Sequence, residues 1–343
     1  MTRLTAATEP LASAYDLALL DLDGVVYLLG QPIPESAATI GDLPVHDCEP
    51  VFVTNNASRS PETVAEALHG MDIPARADQI LTSAQVVASG IVDRVGSGAK
   101  VLSIGSAALR EALESAGLAL ADEPREAQAV AFGMTFDLTW RDLTAVTVAA
   151  RSGALWAVAN LDATLPTPDG PLPGSGALAD AVSTALGRGP DLVAGKPRPP
   201  IYEAALARRP GGRAIMVGDR PDSDIEGANR AGIDSLLVFT GVVSPREALR
   251  LPPERRPTHL GWSIGALTET HPRLHWNEAV DRVECGGWTA VLERGRIVLG
   301  GEGADLDGWR ALCELSWAAM DMAGLDPDRE PRARGPAAEK LFR

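Results

Sequence analysis

The sequence predicts an α/β protein: a doubly wound parallel sheet, a second α/β unit inserted into it, and a small α+β module near the C-terminal end. Three observations carry this expectation. Short apolar runs, Leu17–Leu20, Val51–Val53, Val101–Ile104 and Ala214–Val217, each end in polar or small residues, and a fifth, Ser235–Phe239, follows soon after the fourth. Runs that are apolar throughout, with helical patterns between them, read as buried parallel strands. The interval from Leu20 to Val51 suits one crossover, whereas that from Val53 to Ala214 is several times longer than a crossover needs. A Pro-rich stretch, Arg250–Pro257, then reads as a linker to a last segment.

Taken in order, the core is expected over 14–81 and 189–262. Its first strand, Leu17–Leu20, runs straight into Asp21-Leu22-Asp23-Gly24. A helix follows the second strand over Ser60–His69, with Ser60 as cap and Pro61 in the first turn. Residues 82–188 carry their own strand signals at Val101–Ile104, Val130–Gly133 and Ala154–Ala159, and are expected to form an inserted cap, a lid over the strand ends. Residues 270–327 form the third unit, with a strand pair, Trp288–Glu293 and Arg296–Leu299, around an Arg-Gly turn and an amphipathic helix from about Asp307 to Ala323. The charged tail, 328–343, contains Pro and Gly and is expected to be disordered.

Composition bounds the partners. The 343 residues hold 31 Lys and Arg against 46 Asp and Glu, a net charge of −15. That disfavours nucleic acid or an anionic membrane as the main partner, although a locally positive site can still hold a phosphate. No stretch is long and apolar enough to span a bilayer, and the first residues lack the apolar run of a signal peptide. Cys48, Cys285 and Cys313 are too scattered for a disulfide framework or a zinc site. A reduced, cytoplasmic protein is expected. The five histidines fall outside every motif below and read as surface or packing residues.

Four strand ends carry chemistry. Asp21 and Asp23 close the first strand, where open α/β sheets place their ligands. Carboxylates one residue apart repel unless a cation or a shared proton holds them. One of them can attack phosphorus while the other moves protons; equally, the pair can simply cap a turn. The second strand ends in Thr54-Asn55-Asn56, whose hydroxyl and amides can hold phosphate oxygens or merely make a polar turn. Lys196, between Gly195 and Pro197, can neutralise a phosphate and keep nearby acids ionised. The fourth strand ends in Asp219, with Asp222 and Asp224 just beyond it. Carboxylates from two strand ends can build an oxygen shell for Mg²⁺, while Asp222 reads as a helix-capping acid.

In this order, each closing a strand, the four resemble the signature motifs of the haloacid dehalogenase (HAD) superfamily, over about residues 15–245. The resemblance implies a Rossmann-like core, with Asp21 as nucleophile and Asp23 as general acid and base. It implies Thr54, Asn55 and Lys196 as phosphate binders. Mg²⁺ would be held by Asp21, the Asp23 carbonyl and Asp219, with Asp224 supporting that coordination or orienting a metal-bound water. A lid placed between Thr54 and Lys196 resembles the NagD-like phosphatases, as does Asn160-Leu161-Asp162…Pro166…Gly174-Ser175-Gly176, with Asn160 and Asp162 as candidate specificity residues in the cap. Leu161 stands where many members have Pro, and Arg198 where Ser is common.

A phosphatase of this group followed by a short acetyltransferase-like (GNAT-like) module is similar to the D,L-glycerol-3-phosphate phosphatases. The resemblance therefore implies a Mg²⁺-dependent phosphomonoesterase, with glycerol 3-phosphate as the first substrate to try. Pyridoxal phosphate, phosphoglycolate, nucleoside monophosphates and sugar phosphates are the alternatives, and a regulatory protein with a degenerate site is the rival of another class. Acetyl-CoA is disfavoured as a ligand of the third unit: in Gly300-Gly301-Glu302-Gly303-Ala304-Asp305 the acids would repel a pyrophosphate. That unit reads as structural or regulatory, packing on the core or forming a homodimer contact.

Overall fold

A computed structural model describes residues 4–167, 170–324 and 330–342. The chain divides into two units, Met1–Pro50 with Gly211–Arg343, and Val51–Pro210. Residues 51–81 and 189–210, which the sequence places with the core, thus group with 82–188. One reason is pairing: the short strand Leu192–Val193 joins the sheet of the inserted segment beside Leu155–Val158. Among the described residues, no helix is long and apolar enough to cross a membrane.

The first unit holds four parallel strands in the order His259–Gly261, Asp234–Val238, Ala214–Gly218, Leu17–Leu20. Leu17–Leu20 is buried along its whole length, as a strand covered on both faces must be. Its register sets Leu20 beside Val217, and the Asp21 amide donates to the Val217 carbonyl at 3.0 Å. Two strands therefore end side by side, one at Asp21 and the other at Asp219.

The third unit expected from the sequence lies within this same unit. Strands His275–Trp276, Arg282–Cys285, Trp288–Glu293 and Arg296–Gly301 form an antiparallel ladder. Arg294 and Gly295 both take positive φ at the turn, as a tight hairpin of the favoured hand requires. The helix Asp305–Ala323 follows. The disorder expected over 328–343 gives way, in residues 330–342, to a strand, Arg332–Arg334, paired in parallel with Arg296–Gly301, and a helix, Pro336–Leu341. Residues 328, 329 and 343 lie outside the described residues. Local composition argued for disorder, but the ordering partners are remote: Arg334 pairs with Glu293, Phe342 packs edge-on against Trp309, and Ala338 is buried.

The helix Asp305–Ala323 does not stand apart from the parallel strands. Trp309, Leu312, Leu315 and Trp317 share one apolar cluster with Ile225, Leu237, Val243, Ala248 and Leu260. Polar links reinforce it. The Trp317 indole donates to the Ala248 carbonyl at 2.9 Å, and Arg310 donates to the Leu260 carbonyl at 2.9 Å. Arg256, buried in the supposed linker, forms a two-pronged pair with Asp321 at 2.6 and 2.9 Å. The glycines of the Gly300–Ala304 loop serve close backbone packing. A Cβ on Gly301 would lie 2.3 Å from the Gly287 carbonyl oxygen, and one on Gly303 would lie 2.1 Å from that of Gly286.

The second unit carries a parallel sheet in the order Leu192–Val193, Leu155–Val158, Ala129–Phe132, Lys100–Ile104, Ala119–Leu120. Its core gathers Val130, Phe132, Trp156, Val158, Val146 and Val182. Glu49–Thr54 pairs in parallel with Ile80–Thr82, setting Thr54 beside Thr82.

Candidate active site

In the first unit, the side chains of Asp21, Asp219 and Asp224 converge: one oxygen from each lies within 4.8 Å of the others. Asp219 and Asp224 are fully buried and Asp21 nearly so. Burying like charges this close costs several kcal/mol per ion unless a cation offsets it. The donor set, all hard oxygen, suits Mg²⁺.

The backbone is shaped around these acids. A Cβ on Gly24, which sits at φ +86°, would fall 2.5 Å from the Asp219 Cγ, and one on Gly241 would fall 2.0 Å from its Oδ2. A Cβ on Gly218 would lie 2.2 Å from that of Asp224. Only glycine permits these approaches. The Val242 amide donates to Asp219 Oδ2 at 2.7 Å, and the Arg220 amide to Asp224 Oδ2 at 3.1 Å. The Thr240 hydroxyl donates to the Gly24 carbonyl, tying the two turns that flank Asp219. Sequence reading missed Thr240, Gly241 and Val242. Their one signal is position, directly after the strand Asp234–Val238.

Asp23 is exposed, and the Tyr27 hydroxyl donates to its carboxylate at 3.4 Å. The turn is fixed by the Gly24 amide, which donates to the Tyr27 carbonyl at 2.7 Å. Asp222 pairs with Arg220 at 3.1 Å. Partial burial pushes its carboxyl upward, but the hydrogen bonds and charge of Arg220 outweigh this and hold it below the usual carboxylate range.

In the second unit, the Thr54 hydroxyl oxygen accepts from the Asn56 amide at 3.1 Å, so its hydrogen is left to donate to an anion. Asn55 is a hub. Its Oδ1 accepts from the Lys196 amide at 2.7 Å. Its Nδ2 donates to the Lys196 carbonyl at 3.1 Å and to both Asp162 carboxylate oxygens at 3.1 and 3.2 Å. Asn160 closes the group, donating to the Asn55 carbonyl at 2.6 Å and accepting from the Asp162 amide at 3.1 Å. Lys196 itself is buried. Gly174 and Gly176 let the backbone close on this loop. Cβ atoms there would each lie 2.3 Å from a carbonyl oxygen, that of Asp162 and that of Leu161 respectively.

The chain is similar to known proteins. The chain matches a haloacid dehalogenase-like hydrolase family over residues 18–119 and a HAD-hydrolase-like family over 193–267. The D-glycerol 3-phosphate phosphatase of Mycobacterium tuberculosis is 41% identical over 263 residues, 76% of this chain and 72% of that protein. A 5′-nucleotidase of Bacillus subtilis is 36% identical over 259 residues, 75% of this chain and 97% of that protein. The crystal structure of the glycerol phosphate phosphatase of M. tuberculosis in complex with magnesium has a TM-score of 0.86 at 34% identity, covering 98% of each chain. The likeness to it therefore extends through the C-terminal segment.

Proposed function

The chain belongs to the haloacid dehalogenase-like hydrolases and is a phosphoric monoester hydrolase that uses Mg²⁺, and on that premise we propose glycerol 3-phosphate as its substrate, with Asp21 as nucleophile and Asp23 as general acid and base. The observation that carries the site assignment is the convergence of Asp21, Asp219 and Asp224. Support for the substrate comes from the M. tuberculosis relative, named for that ester, and from the shared C-terminal segment.

Asp21, Asp219 and the Asp23 carbonyl would hold Mg²⁺, with Asp224 beside them. Bound there, the ion supplies positive charge that offsets the charge on the phosphoryl oxygens. An Asp21 oxygen attacks phosphorus as the bond to the glycerol oxygen breaks, giving an aspartyl-phosphate. The Asp23 carboxyl, exposed and beside the Tyr27 hydroxyl, gives its proton to the departing alkoxide. As a carboxylate it then takes a proton from the water that attacks phosphorus, and the Asp21 carboxylate is released. Lys196 and the Thr54 hydroxyl neutralise and hold the phosphoryl oxygens. We assign residues 82–188 to the cap that selects the leaving group, and 270–327 with its ordered tail to a module that packs on the catalytic unit. We propose that this module is acetyltransferase-like in fold alone, without an acetyl-CoA site, a reading supported by the backbone packing around its glycine-rich loop.

A panel of phosphate esters assayed with Mg²⁺ tests the reading. Glycerol 3-phosphate is expected to give the highest kcat/KM. Preference for a sugar phosphate, a nucleoside monophosphate, pyridoxal phosphate or phosphoglycolate would replace the substrate. Hydrolysis of none of them would overturn the catalytic reading in favour of a regulatory role.

A further inference from the structure

The Thr54-Asn55 turn suggests that both residues meet the phosphate, but the hydrogen bonds of the Asn55 side chain point elsewhere. Its oxygen is taken by the Lys196 amide at 2.7 Å, and its nitrogen by the Lys196 carbonyl and the Asp162 carboxylate. The N–H and the C=O of one residue are thus gripped by a single amide. Gly195 makes the grip possible, since a Cβ there would lie 2.5 Å from Asn55 Oδ1. The Asn55 backbone is fixed in turn: Asn160 and the Ser83 hydroxyl each donate to its main-chain carbonyl at 2.6 Å.

We infer that Asn55 is a positioning residue that fixes the backbone of Lys196, and that Asp162 is the acceptor that orients the Asn55 amide rather than a selector of substrate. Only an amide fits between these partners. A carboxylate at position 55 would face the Asp162 carboxylate, and an amide at position 162 would offer one neutral acceptor where two charged oxygens now receive the Asn55 nitrogen. The cap signature Asn160-Leu161-Asp162 then serves as the outer half of a latch whose inner half holds the phosphate-binding lysine. Lys196 is a long, flexible chain ending in a point charge. Fixing its backbone removes part of the freedom that would otherwise be lost in the transition state.

The inference rests on the phosphatase reading above, and a charge-swap cycle separates the two. Wild type, Asn55→Asp, Asp162→Asn and the double variant are compared for kcat and KM on glycerol 3-phosphate with Mg²⁺ and for thermal midpoint. Each single variant is expected to lose at least about tenfold in kcat/KM, mostly in kcat, with a lowered midpoint. The double variant restores the contact between positions 55 and 162, but not the donor to the Lys196 carbonyl, and should recover part of both losses. In a Lys196→Ala background, Asn55→Asp should cost little more activity, because it acts through that lysine. A double variant no better than the product of its singles, in activity and in midpoint, would overturn the latch. That is the outcome expected if the Asn55 amide touches the phosphate itself, since the swap places a carboxylate against an anion. If the wild type hydrolyses no phosphate ester, the functional reading falls, while the midpoints still decide whether the two side chains are paired.

Discussion

Lowering the pH should loosen the first unit through two buried histidines. His259 and His271 stack edge-on with ring centroids 5.0 Å apart. The His271 Nε2 lies 2.9 Å from the Ala266 carbonyl, the Arg310 guanidinium lies 3.4 Å from its Nδ1, and Asp307 pairs with Arg310 at 2.7 Å. His259 Nε2 meets the Thr5 and Tyr15 hydroxyls at 3.1 and 3.3 Å. Burial above all, then the neighbouring His271 and Arg310, pushes His259 down to about 3, and burial with the Arg310 charge pushes His271 down to about 4. Both folded values lie below the unfolded value of about 6.5, so the unfolded chain binds more protons. The stability they contribute is complete above about pH 6.5 and is lost as pH falls toward the folded values. At pH 5 both rings are still neutral in the folded state, and each costs about 2 kcal/mol, about 4 kcal/mol together, relative to neutral pH. Against a total of roughly 5–15 kcal/mol, that is a large share.

The assay is urea unfolding at pH 7.5 and pH 5, read by tryptophan fluorescence, since Trp288, Trp309 and Trp317 lie in the adjoining apolar cluster. Comparison with the His259→Gln/His271→Gln variant removes the contribution of titrating carboxylates. Glutamine keeps a donor and an acceptor but cannot be charged. The gap in unfolding free energy between wild type and variant should shift by about 4 kcal/mol between the two pH values. A gap that stays constant to within about 1 kcal/mol would refute the reasoning.

Asp21→Asn should abolish turnover with the thermal midpoint unchanged or raised, because it removes one of three crowded carboxylates; turnover near the wild-type rate would show that another group attacks phosphorus. Chelation with EDTA should silence the enzyme and Mg²⁺ restore it, and Gly241→Ala should raise the Mg²⁺ half-saturation concentration at least about tenfold by pressing on Asp219; a titration curve that does not move would argue against that cradle. Arg256→Met should cost about 1–2 kcal/mol, chiefly by leaving the Leu251 carbonyl without its donor, measured by chemical denaturation.

How far the sequence could be read depended on how local the cause was. The runs at Leu17–Leu20 and Ala214–Val217 declared their strands, because burial on both faces leaves a mark on every residue. The acids that follow them marked where three carboxylates converge, because strand ends gather chemistry. Two other features left no such mark. The tail forms a strand and a helix because Glu293 and Trp309 receive it, and neither is near it in sequence. The grip on Asp219 comes from the Val242 amide and the bare Cα of Gly241, backbone features with no side-chain signature. Asn55 was visible as a polar residue at a strand end, but its partners Asp162 and Lys196 become neighbours only through the fold.

The Leu4 amide donates to the Glu314 carboxylate at 3.0 Å, and the amides of Ala7 and His271 exchange hydrogen bonds with each other's carbonyls. The segment around Leu4 and Ala7 is therefore held by residues far along the chain, Glu314 standing 310 positions on. Val51–Pro210 is continuous in sequence and can settle during synthesis, whereas the strand bearing Asp21 waits for Ala214–Gly218 and for the helix Asp305–Ala323. Protease challenge of arrested nascent chains should find the inserted unit resistant well before the catalytic one. Simultaneous protection of both at an early arrest point would exclude this order. The surroundings of Asp21 form only once the helix Asp305–Ala323 has been made.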